Sequence, residues 1–91
     1  MARDIYVDQQ ELEEFIEVLQ RFQDSTSDRF KSVQSAWSKC SESWEGVSKE
    51  TFEKDFEETN SSIHHALEAG DDAIDWLRRF NEILEEFEEM Y

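Results

Sequence analysis

The sequence predicts an all-α protein: an antiparallel helix-turn-helix hairpin that dimerises into a four-helix bundle. Three observations carry that prediction. Two long runs space their apolar residues at steps of three and four, the repeat of a helical seam. Between them lies Ser41-Glu42-Ser43-Trp44-Glu45-Gly46, the one turn-prone stretch in a chain with two glycines and no proline. The apolar stripe on each run is also wider than a single seam, which suits helices that touch two neighbours. Ninety-one residues make one domain over 1–91. Its first helix is expected at about 9–40, its turn at about 41–47 and its second helix at about 48–88.

Residues 1–7 form a short lead-in. Asp8 is a good N-cap, Glu11 follows at capping-box distance, and Val7 and Leu12 occupy the staple positions. The first seam then runs Leu12, Phe15, Leu19, Phe22, Thr26, Phe30, Val33, Trp37, Cys40, with one extra four-residue step around Thr26. A helix over 9–40 spans about 48 Å at the standard rise. Its weakest part is Asp24-Ser25-Thr26-Ser27-Asp28, where hydroxyl and carboxylate side chains compete for backbone hydrogen bonds and a kink or fraying is expected. The helix should end at Ser41 to Ser43, and Gly46 can take the positive φ of a tight reversal. Ser48 then reads as the second N-cap, with Val47 stapled to Phe52.

The second seam is Phe52, Phe56, Thr59, Ile63, Ala66, Gly70, Ala73, Leu77, Phe80, Leu84, Phe87, Tyr91, strictly alternating. Gly70 costs about 1 kcal/mol relative to Ala in a helix interior. The period passes through it unchanged, so one helix is expected and a break at Gly70 is the second choice. Folding about Trp44 sets Phe22 at the level of Ala66 and Leu19 opposite Gly70, large against small.

A lone hairpin with these seams leaves Ile16, Val18, Leu67, Ile74, Trp76 and Ile83 in water, an apolar strip that monomers rarely carry. A second hairpin should therefore cover Phe15, Ile16, Leu19 and Phe22 on the first helix and Phe56, Ile63, Leu67, Ile74 and Leu77 on the second. The net charge of −15 argues mildly against self-pairing at low salt, and a less acidic partner would relieve it.

The same charge, 24 acids against 9 bases, disfavours nucleic acid and anionic membrane surfaces as partners. No apolar run approaches the roughly 20 residues of a membrane span, and the first residues lack a signal-peptide apolar segment. Lone Cys40 excludes an internal disulfide. No cofactor is expected, and no metal: His64, His65 and Glu68 offer too few donors for zinc. The carboxylate pairs Glu13-Glu14, Glu57-Glu58, Asp71-Asp72, Glu85-Glu86 and Glu88-Glu89 read as solvated faces, because long helices supply no pocket to split their pKa values. An enzyme is not expected.

Trp44-Glu45-Gly46 sits midway along this helical chain, with Trp37 seven residues before it and Phe52 six after its glycine. In this the chain resembles the WXG family of small type VII secretion proteins, the hundred-residue, early-secreted-antigen-like proteins. The resemblance covers the whole chain. It implies that Trp44, Glu45 and Gly46 form the turn, where Gly supplies geometry and Trp covers the bundle end, and that two hairpins pair into a four-helix dimer. It implies a non-enzymatic protein, a secreted factor or the partner and chaperone of a secreted effector. Its partners would be itself or a paralogous hairpin, and beyond that a larger effector or a secretion ATPase. It would be secreted without a cleaved signal peptide, cytoplasmic before export, or cytoplasmic throughout as a chaperone. Family members often carry a C-terminal signal, an aromatic followed four residues later by Asp or Glu. Here Trp76, Phe80 and Phe87 are followed by Phe80, Leu84 and Tyr91. The acidic tail bearing Phe80, Leu84, Phe87 and Tyr91 is a candidate recognition segment. Two other readings fit the residues: a cytoplasmic coiled-coil adaptor, and an acidic inhibitor or immunity protein that blocks a basic surface.

Overall fold

A computed structural model describes residues 6–90, with side chains described through Glu88; Tyr91, part of the expected tail, lies outside the described residues. The described residues form two helices, α1 (Gln9–Ser43) and α2 (Val47–Met90), packed antiparallel. Asp8 caps α1, its Oδ1 accepting from Gln10 N at 3.0 Å and Glu11 N at 3.2 Å. α1 runs unbroken through Asp24–Asp28, and α2 through Gly70. Its start differs from expectation. α2 begins at Val47, so Ser48 lies inside the helix rather than capping it, and Val47 is exposed rather than stapled. Gly46 ends the turn at φ +111°, and Lys49 N closes the first turn onto its carbonyl at 3.2 Å.

The molecule is a thin rod, 68 × 22 × 14 Å, with a radius of gyration of 20.4 Å. A compact chain of this length would have a radius near 12 Å. Its surface is 7512 Å², where a compact monomer of this mass exposes about 5,600 Å². Two helices have an inside only along one line, and the core is correspondingly small. Among the described residues Leu12, Ile16 and Ile74 are the buried apolar side chains, with Leu19, Leu77, Phe80 and Leu84 packed against them. At the turn end a second cluster is aromatic. Trp37 lies 6.0 Å from Trp44, 5.2 Å from Phe52 and 5.4 Å from Phe56, ring centre to ring centre.

Between the two clusters a buried polar side chain interrupts an interior that also holds half-buried Phe30, Ile63 and Leu67. Gln23 is buried and donates Nε2 to the Leu67 carbonyl at 2.8 Å and to Asp71 Oδ1 at 3.1 Å. Its amide lies over Gly70, where a Cβ would collide with it. This corrects the expected register: Gln23, not Leu19, faces Gly70. The inward seam of α2 follows Phe56, Ile63, Gly70, Leu77 and Leu84 as expected, but its alternate positions are Glu53, Asn60, Leu67, Ile74 and Asn81. Phe52, Thr59, Ala66 and Ala73 stand one residue earlier and are exposed. α1 shifts likewise, turning Ile16 and Gln23 inward and leaving Phe15 and Phe22 outside. Ile16 and Ile74, expected in water, belong to the hairpin's own core, and Leu67 is half-buried.

Candidate functional site: the unpaired apolar face

The shift of one residue separates two sides of the hairpin. A step back of one position turns a right-handed helix by about 100°. Seen from one end, antiparallel helices wind in opposite senses, so the preceding positions of α1 and α2 swing to the same side. That side carries Phe15, Val18, Phe22 and Val33 from α1, and Phe52, Ala66, Ala73, Trp76, Phe80 and Ile83 from α2. Phe15 is 53%, Phe22 60%, Trp76 58% and Ile83 60% exposed. Trp76 and Phe80 stack at 5.3 Å, extending the apolar surface as a continuous plate. At the open end of the rod it leads into a cleft lined by Val7, Phe80, Ile83, Leu84 and Phe87. Val18, Trp76 and Ile83 stand in water as the sequence reading expected.

The following positions swing to the opposite side, which is polar. There Arg78 donates to Gln20 Oε1 at 3.0 Å, and Asn81 Nδ2 donates to Glu13 Oε2 at 3.1 Å and Glu85 Oε1 at 3.3 Å. A shallow groove on this side is lined by Glu13, Glu17, Gln20, Arg21, Arg78 and Glu82. Among the described residues no three His, Cys, Asp or Glu side chains gather as metal donors. His64 Nε2 stands 3.7 Å from Glu68 Oε1 on an exposed surface.

The turn is built by its aromatic residues. Trp44 is half-buried, stacks on Phe52 at 5.7 Å and donates Nε1 to Ser48 Oγ at 3.2 Å. Lys49 Nζ donates to the Ser41 carbonyl at 2.8 Å, satisfying a group at the C-terminus of α1. Glu45 is exposed beside it. A family model describing proteins of 100 residues with WXG, WXG100, matches residues 4–89. The chain is a WXG100 protein. Its motif is Trp44-Glu45-Gly46, and the hairpin expected of the family is the observed fold. No curated protein and no solved structure matches it. As a WXG100 member it is a small type VII secretion-related protein of the early-secreted-antigen kind. No described helix is long and apolar enough to cross a membrane.

Of the residues named for the pairing surface, Phe15 and Phe22 lie on the open face. Leu19, Phe56, Ile63, Leu67 and Leu77 lie half-buried along the line between the helices, and Ile16 and Ile74 are buried there. The face instead includes Val18, Trp76, Phe80 and Ile83. In the tail Leu84 packs on the core, and Phe80 joins core and face.

Proposed function

We propose that this WXG100 protein works without catalysis, by laying its apolar face on a second helical hairpin to complete a four-helix bundle. In that paired form it acts as a type VII secreted factor or as partner and chaperone of a larger secreted effector. One observation carries the reading: five large apolar side chains, Phe15, Val18, Phe22, Trp76 and Ile83, stand at least half in water on one side of the rod. Soluble monomers rarely leave such a strip open. Burying it leaves the polar side as the outer surface.

Either role uses the same paired form. The turn motif and the acidic tail would then be contacts for an effector or a secretion ATPase. The deciding experiment substitutes exposed positions, so that the hairpin's own core is untouched. Phe22→Glu and Trp76→Glu should each convert a paired species to a monomer of unchanged helicity, read by light scattering and circular dichroism at micromolar concentration. Glu17→Gln on the polar side should change neither. Unchanged mass in both face variants refutes the reading.

A further inference from the structure

We propose that the cleft at the open end of the rod docks a basic amphipathic segment of a partner protein, which places apolar side chains in the cleft and lysine or arginine on the acids around it. The proposal deepens the reading of the acidic tail as a contact, and it stands apart from the pairing of the long face.

The cleft lies where the end of α2 meets the start of α1. Val7, Phe80, Ile83, Leu84 and Phe87 line it, and its volume is about 390 Å³. Ligand pockets run from about 300 to 1,000 Å³. Val7 is 42% and Phe87 44% exposed, so the lining is open to an incoming chain.

Charge selects the occupant. Residues 8–17 carry five acids and residues 80–88 carry four, with no lysine or arginine in either stretch. Glu88 is itself part of the lining. The Gln9 carboxamide, 3.1 Å from Asn81 Oδ1, stands 3.0 Å from a Glu88 carboxylate oxygen. Glu11 lies four residues before Phe15 and shares its side of α1. The end of α2 adds a negative pole of its own: its last carbonyls lack intrahelical partners, and its last turn contains no base. A cationic segment is drawn in by this field and supplies what the helix end lacks. An anionic one is repelled.

The turn end differs. There Trp37, Trp44 and Phe52 pack on one another, and residues 29–59 mix seven acids with five bases. Apolar lining and unbalanced negative charge coincide at the open end.

The test titrates a labelled helical peptide, with Leu and Phe on one face and Lys on the other, against the full chain at physiological salt, read by fluorescence anisotropy. Phe87→Ser and Val7→Ser should each weaken binding about tenfold, the loss of one buried apolar side chain, with helicity by circular dichroism unchanged. Glu88→Gln should weaken it about threefold and flatten its salt dependence, whereas Glu57→Gln, the same change of charge in the turn half, should do neither. Phe22→Glu should leave the affinity unchanged, so a failure of the pairing face is read separately. Equal losses in Glu88→Gln and Glu57→Gln would reduce the effect to the charge of the whole rod and overturn the site. Equal binding of a peptide with Gln in place of Lys would overturn the basic occupant. Tighter binding after removal of residues 1–5 or of Tyr91 would put the chain's own flanking residues in the cleft. Loss of binding as the chain pairs at rising concentration would put a second copy there. Either result would overturn the partner segment.

Discussion

At the scale of single residues, Gln23 and Gly70 form one unit. A glycine inside a helix is less favourable than alanine by about 1 kcal/mol, but here the missing methyl makes room for a buried amide. Gln23 in turn needs that room to reach the Leu67 carbonyl and Asp71. Each net hydrogen bond is worth about 1 kcal/mol, and an amide left buried without partners costs more. Gly70→Ala alone should therefore fail to stabilise, because the amide must leave its acceptors. In a Gln23→Ala background the same change should stabilise by about 1 kcal/mol. Urea unfolding of the four chains closes the cycle, and additive effects would show the two residues to be independent. The pair was hard to read from sequence. Hydrophobicity favours Phe22 inside and Gln23 outside, and only the absence of a side chain at Gly70 makes the reverse arrangement better.

At the scale of helices, two packing stripes lie side by side on each element. Phe15 beside Ile16, Ala66 beside Leu67 and Ala73 beside Ile74 satisfy a three-four repeat equally well. Periodicity thus revealed two long helices and the Asp8 cap, and the width of the stripe revealed an unsatisfied surface. It could not tell which stripe meets the sister helix and which meets another molecule. That choice depends on how side chains fit between the two helices, and the pairing surface expected from sequence mixed both stripes as a result. Gln23 also marks a polar point between the aliphatic cluster around Ile74 and the aromatic cluster at the turn. Trp37→Ala removes the ring that joins Trp44, Phe52 and Phe56. Large-to-small changes of this kind cost about 3 kcal/mol when fully buried, and less for this half-buried ring. Amide exchange should rise around the turn and stay near its original rate around Ile74. Uniform acceleration along the rod would show that the clusters unfold as one.

At the scale of the whole molecule, charge and concentration govern stability together. A chain of net charge −15 repels itself when folded and repels a second copy more strongly. Screening weakens that repulsion within a Debye length of about 10 Å at 0.1 M salt. Raising salt from about 0.01 to 0.3 M should therefore raise both the melting temperature and the paired fraction, read by calorimetry and light scattering. A fall in both would mean that local ion pairs outweigh the global field. Melting temperature should also climb with the concentration of the hairpin that pairs with it, since pairing draws the folded state forward by mass action.

A rod 14 Å thick has almost no interior of its own. For such a chain, the surface that covers it becomes part of the fold. A copy without its partner hairpin would spend much of its time open to proteases, whereas one made alongside that partner would be sheltered at once. Persistence would then follow the supply of the partner, so that the protein behaves as a gauge of that partner's production.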